Sequence, residues 1–256
     1  MEGKKKGMHM HHLGLGKLLL FLLVLQACQS VHHTEDENMT QEGEKPSSKL
    51  FVDYHRKFID EKRCDQIIDN EFIIMCYDTQ KKAVKAVSYI LMGDLVNELN
   101  IKKRPSFYVE KSVDRAHRSS NSDYRKSGYD KGHMAPDAAF DWSQESLHAV
   151  YTLANIIPQA PKVNRHMWVK LERYVRDKAV ELGSLKVVNV VSYEEDNRSI
   201  GKHHIAVSTG YYKILYNEDE AYEECFYYEN NLTASSKGDT PLKHKVSCQE
   251  VGYEAL

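Results

Sequence analysis

The apolar positions of this chain fall into short runs divided by polar turns. Phe72-Ile73-Ile74-Met75-Cys76-Tyr77 and residues 83–90 read as two strands joined by the polar turn 78–82. Residues 185–193, 204–208 and 211–216 read as three further strands, with Asn197, Ser199 and Gly201 punctuating the first gap. Between the two groups the period changes. Val163, Met167, Leu171, Val175 and Ala179 recur at helical spacing. Pro161 is placed to open that helix and Gly183 to end it. Residues 91–101 fit a short helix and an extended connection equally well, and the polar stretch 106–125 reads as a loop.

Composition adds class and partner. The chain has 256 residues, 41% hydrophobic and 28% charged, enough for one globular domain with a real core. No internal repeat and no second domain boundary interrupts it. The net charge of -2 does not advertise a polyanion partner, but its distribution does. Residues 101–131 carry nine Lys or Arg against four Asp or Glu, a surplus of +5. A basic stretch of this kind suits a phosphate-rich substrate.

The amino terminus reads as an address. Lys4, Lys5, Lys6 and Lys17 precede the apolar run 18–25, which is too short to span a bilayer. Leu25-Gln26-Ala27-Cys28 follows and resembles a bacterial lipobox. Residues 1–28 are therefore expected to be a lipoprotein-type signal peptide with lipidation at Cys28. Any contact with a membrane would then run through that anchor. Residues 29–49 are polar and acidic and are expected to form a disordered tether, with the domain at 50–256. The expected location is outside the cytoplasm: periplasm, outer membrane or cell surface, with free secretion the alternative. With Cys28 set aside, Cys64, Cys76, Cys225 and Cys248 remain and allow three pairings. The local pairs Cys64–Cys76 and Cys225–Cys248 are favoured, as an oxidising compartment permits, and four free thiols are the alternative.

Chemistry concentrates between residues 129 and 172. Tyr129-Asp130-Lys131-Gly132-His133 is followed by Asn155-Ile156-Ile157-Pro158-Gln159, then Asn164, then Glu172 eight residues later. Gly132 predicts a sharp turn into His133, and a histidine so placed can act as a general base. This order resembles the DNA/RNA non-specific endonuclease family, the ββα-metal (His-Me finger) nucleases of the Serratia and endonuclease G type, in an exported bacterial form. The matching residues are Asp130, Gly132, His133, Asn155, Pro158, Gln159, Asn164 and Glu172. Lys131 stands where the family usually has arginine, which keeps the charge and loses the planar fork.

The resemblance implies an α+β fold with a central, mostly antiparallel sheet flanked by helices. The implied activity is metal-dependent, sequence-non-specific endonucleolysis of DNA and RNA. His133 would activate water, with Asp130 or a backbone carbonyl fixing its tautomer. Mg2+, with Mn2+ able to substitute, would be held by Asn164 through an uncharged amide oxygen, and Glu172 would orient its waters. At 3.6 residues per turn, Asn164 and Glu172 fall on roughly one side of their helix. Asn155 is expected at the centre as a catalytic residue, with a loop-fixing amide the alternative. Arg104 would clamp phosphate, with Lys103 its rival, and Lys131 would touch phosphate as a point charge. Asp130 is also a candidate in the substrate site.

A surface nucleic-acid-binding protein that has lost catalysis is the alternative function, supported only by Lys131. Separately, Asn38, Asn197 and Asn231 each fit acid-x-Asn-x-Ser/Thr, an extended N-glycosylation acceptor pattern.

Overall fold

Four of the expected strands assemble at the centre of one seven-stranded sheet. In the computed structural model, which describes residues 53–196 and 198–251, its strands are β1 (Gln66–Asp69), β2 (Ile74–Asp78), β3 (Ala83–Met92), β6 (Ser184–Ser192), β9 (Gly210–Asn217), β10 (Tyr222–Glu229) and β11 (Lys245–Val246). They lie in the order β1-β2-β3-β6-β9-β10-β11, and every neighbouring pair is antiparallel. Two small ribbons stand apart: β4 (Asp130–His133) with β5 (Ile156–Gln159), and β7 (Ser199–Ile200) with β8 (Ile205–Ala206). The helices are α1 (Tyr54–Phe58), α2 (Gln144–Ala149) and α3 (Val169–Glu181). The signal, the tether, Cys28, Asn38 and Asn197 lie outside the described residues.

Both faces of the sheet are covered, which explains the near-continuous apolar runs of β3, β6 and β9. The inner face, with Val87, Tyr89, Val187, Val191, Tyr211 and Leu215, packs on Trp168, Leu171, Val175 and Ala179 of the long helix. The outer face, with Ala86, Val188, Val190 and Ile214, packs on Tyr54 and Phe58 of α1 and on Val251. Two disulfides close on that side, Cys64–Cys76 and Cys225–Cys248, the two local pairs.

Several elements differ from the sequence reading. Residues 91–101 are neither helix nor strand beyond Met92, where β3 ends and a run of turns begins. The expected strand 204–208 shrinks to Ile205–Ala206. The expected helix begins at Pro161, but Val163–Trp168 is a π-helical turn, and α geometry resumes only at Val169. Spacing at 3.6 residues per turn therefore does not describe the whole path from Asn164 to Glu172. Single π turns inside helices recur at functional sites.

Gly132 is not a turn either. It lies inside β4 opposite Ile157, and the left-handed glycine of this region is Gly128, with φ 85°. Glycine is needed at 132 because the buried Gln159 side chain lies against it. A Cβ there would overlap Gln159 Oε1 and fall 2.5 Å from Gln159 Cβ. Gly132→Ala is expected to destabilise by about 1–3 kcal/mol, the usual cost of overpacking. Thermal unfolding followed by circular dichroism should show a fall of several degrees, and an unchanged Tm would contradict the close approach. Replacing Cys64 and Cys76 together by Ser opens a loop with a sequence separation of 12. Its expected cost is about 2–4 kcal/mol, read as a lower urea midpoint, with a slope equal to or steeper than wild type because the unfolded chain is no longer constrained.

Candidate active site

The β4–β5 ribbon decides which way each motif residue faces. Alternation along β4 puts Lys131 and His133 on one face and Asp130 and Gly132 on the other. The His133 ring lies between aromatic neighbours, 5.3 Å from the Phe107 centroid and 5.0 Å, edge-on, from Tyr151. Its Nε2 is enclosed and has no hydrogen-bond partner among the described residues. Burial pushes the imidazole down to about 4, with Arg104 and Lys131 acting in the same direction and Asp137 opposing them. His133 is thus neutral at pH 7 and able to accept a proton.

The chain after His133 runs into the core, and its backbone is held group by group. Met134 N–H donates to Asn155 O at 3.0 Å, and Ala135 N–H donates to Asn155 Oδ1 at 2.9 Å. Asn155 Nδ2 donates to Ala135 O and Val150 O, each at 2.9 Å. Asn189 Nδ2 donates to Met134 O at 2.8 Å. Asn155 is fully buried with both ends of its amide bound to main chain. The geometry is that of the loop-fixing alternative, not of a group facing substrate.

Asp130 is also redirected. Its carboxylate accepts from Arg165 Nε at 2.7 Å, Arg165 Nη2 at 2.6 Å and Asn164 Nδ2 at 3.1 Å. Three residues of strand separate it from His133, so the two side chains point to opposite faces and Asp130 does not orient the imidazole. Asp130 orients Asn164 instead. With Asn164 Nδ2 committed, Oδ1 is the amide atom with no hydrogen bond among the described residues. Burial opposes ionisation of Asp130, but bonds from Arg165 and Asn164 outweigh it and hold the carboxyl below its ordinary range.

Glu172 sits half-buried on the first turn of α3. Burial pushes its carboxyl up, the Lys213 ammonium offsets this, Asp137 adds to the rise and Arg176 opposes it. Asp137 thus acts electrostatically on both His133 and Glu172. It accepts from Tyr151 Oη at 2.9 Å and pairs with Arg104 Nε at 3.1 Å. Arg104 reaches the site, but its donors are engaged: Nη2 with Asp141 at 2.9 Å and Nη1 with Ile101 O at 2.5 Å. It anchors Asp137, and the structure shows no free fork to clamp a phosphate. Lys103 is exposed. Lys131 Nζ donates to Asn121 Oδ1 at 2.9 Å and lies 4.2 Å from the Phe107 ring centroid. Burial lowers its affinity for a proton.

The motif residues His133, Lys131, Asn164 and Glu172 therefore gather around the ribbon and the long helix. Sequence reasoning missed Asp137, Tyr151, Arg165, Arg176, Asn189 and Lys213. A signal existed for Lys213, a lone ammonium in the otherwise apolar run Tyr211–Tyr216. Asn231 is exposed, with its Oδ1 accepting from Thr233 N and Oγ1.

Comparison with known proteins agrees with this geometry. The family model described as DNA/RNA non-specific endonuclease matches residues 55–251. Human mitochondrial endonuclease G is 31% identical over 160 residues, covering 59% of this chain and 54% of the relative. The mitochondrial nuclease EXOG of Danio rerio is 30% identical over 157 residues, covering 56% of this chain and 44% of the relative. The chain thus spans about half the length of the curated relatives it matches. A crystal structure of an EndoG/EndoGI complex, concerned with the mechanism of EndoG inhibition, aligns with a TM-score of 0.66 at 25% identity. That alignment covers 74% of this chain and 83% of the other. With the ββα unit of β4, β5 and α3 set against an antiparallel sheet, and the family model spanning nearly all the described residues, this chain belongs to the DNA/RNA non-specific endonuclease family.

Proposed function

We propose that this chain is a metal-dependent, sequence-non-specific endonuclease that hydrolyses phosphodiester bonds in DNA and RNA. The observation that carries the reading is a neutral His133 whose Nε2 is enclosed and unpartnered. The cations of Lys131 and Arg104 act on it electrostatically. A phosphodiester resists attack because it is anionic and its leaving alkoxide is poor. His133 takes the proton of the attacking water, and Lys131 offers a point charge to the phosphate. A site that addresses phosphate in this way reads the backbone, which carries no direct sequence information.

The donor set fits a hard divalent cation. Asn164 Oδ1 and the Glu172 carboxylate are oxygen donors. Among the described residues no group of three or more His, Cys, Asp or Glu could hold a metal. One or two protein oxygens suit Mg2+, which keeps most of its waters, and Mn2+ takes similar ligands. Asn164 would hold the ion and Glu172 would orient its waters; when bound, the ion supplies Lewis-acid stabilisation of phosphoryl and leaving oxygens. Export and a lipid anchor at Cys28 belong to the same proposal and are supported by the basic, apolar and Leu-x-Ala-Cys pattern of residues 4–28.

Purified protein should cut plasmid DNA, single-stranded DNA and RNA with Mg2+ and lose that activity to a chelator. His133→Ala should lower kcat by roughly 100- to 10,000-fold without unfolding the protein. Folded protein that binds these nucleic acids but cuts none of them with any divalent metal would leave the binding-protein alternative standing. The imidazole makes a second test. By NMR in metal-free protein, His133 should stay neutral well below its ordinary 6.5 and titrate near 4. Because the folded value lies below the unfolded one, the unfolded chain binds more protons between these limits. Stability should therefore fall as pH drops from 6.5 towards 4, and a His133 midpoint at 6.5 would contradict the burial.

A further inference from the structure

Two polar residues occupy the middle of the sheet's inner face. Asn189 of β6 and Lys213 of β9 are direct cross-strand partners, and both are fully buried. Their layer is otherwise apolar or aromatic, with Val187, Val191, Tyr211 and Leu215 around them. Lys213 Nζ donates to Asn189 Oδ1 at 2.7 Å and to the Tyr89 hydroxyl at 3.4 Å. It also lies 4.4 Å from the Trp168 ring centroid.

Taking an ammonium out of water costs several kcal/mol, and burying an amide adds to this. The sheet does not need either group. Apolar side chains of similar volume at both positions would fill the layer, and such replacements of buried charge are often neutral or stabilising. What the pair does is directional. An ammonium only donates, so it fixes Asn189 with Oδ1 towards Lys213. Nδ2 then faces the other way and donates to Met134 O at 2.8 Å. Met134 is fully buried and directly follows His133.

We propose that Lys213 and Asn189 are positioning residues for His133. Lys213 fixes the sense of the Asn189 amide, the amide holds the Met134 carbonyl, and that peptide sets the direction in which the imidazole leaves β4. This role rests on the reading of His133 as the proton acceptor. Burial pushes the Lys213 ammonium down to about 7, and the Glu172 carboxylate opposes that fall electrostatically.

Three variants test this. Asn189→Asp keeps an acceptor for Lys213 at nearly the same volume but removes the donor to Met134 O. Its kcat should fall about 10- to 100-fold, the scale of a small displacement of a reacting group, with KM close to wild type and a fall in Tm from the unpaired Met134 carbonyl. Lys213→Met alone leaves the Asn189 oxygen buried and unpaired and should lower both Tm and kcat. Lys213→Met/Asn189→Leu removes both polar side chains and should recover part of the Tm lost in Lys213→Met, the Met134 carbonyl still lacking its donor, while kcat stays low. A residue serving only the fold would show the reverse, with kcat following Tm. Backbone amide exchange gives a readout independent of cleavage: the Met134 and Ala135 amides should lose protection in Asn189→Asp. Wild-type kcat and wild-type protection in that variant would overturn the proposal. If wild-type protein cleaves nothing, the nuclease reading fails and this catalytic role with it, while the exchange data still report whether the clamp exists.

Discussion

The site depends on one constraint: the chain leaves His133 and enters the core, where no water is available to its main chain. Buried peptide groups must find partners. Met134 and Ala135 together present two N–H and two C=O groups there. Asn155 serves three through its side chain and its own carbonyl, and Asn189 serves the fourth. A side-chain amide suits this task because it donates at one end and accepts at the other. The two asparagines come from opposite directions, one from the ribbon and one from the sheet. The imidazole is thereby fixed to both layers of the fold, although its Nε2 has no hydrogen-bond partner among the described residues.

Charge around this point alternates. Arg104 is matched by Asp137 and Asp141, and Arg165 by Asp130. Lys213 and Glu172 act on each other electrostatically. An unmatched buried charge is costly, so these cations are each accompanied by an anion. His133 has no such partner and remains neutral. Neutrality is what a proton acceptor requires, so the burial that shields the ring also keeps it competent. Lys131, which shares its strand face, is bonded only to a neutral amide oxygen at its ammonium. Its charge is the least compensated near the imidazole and the most available to an anion.

Much of this was legible in the sequence, and the misses have physical causes. The central strands announced themselves because both of their faces are buried and almost every position is apolar. The edge strand Gln66–Asp69 did not, since only Ile68 is buried. Strand Tyr222–Glu229 was masked by Glu223 and Glu224, and five-residue α1 is too short to establish a period. His133, Asn164 and Glu172 stand out as candidates because their spacing is local. Asn189 and Lys213 lie 55 and 79 residues beyond the Met134 carbonyl they serve, and no local pattern records that meeting. Asp130 and a backbone carbonyl are both candidates to orient the imidazole in the sequence, and only the extension of Asp130–His133 as a strand, where a turn at Gly132 is expected, puts the Asp130 side chain on the opposite face.

The π turn connects these observations. Had Val163–Trp168 continued as regular helix, its residues would have followed the phase of Leu171, Val175 and Ala179, which face the sheet. One wider turn shifts the register between the two segments. Trp168 can then lie fully buried over Lys213, while Asn164 reaches Asp130 at the surface of the ribbon. The same helix thus caps the buried cation and brings the Asn164 amide to Asp130 of the ribbon. A regular helix optimises one face. This one serves two faces, and the local loss of ideal geometry is consistent with a segment shaped by the site as well as by the core.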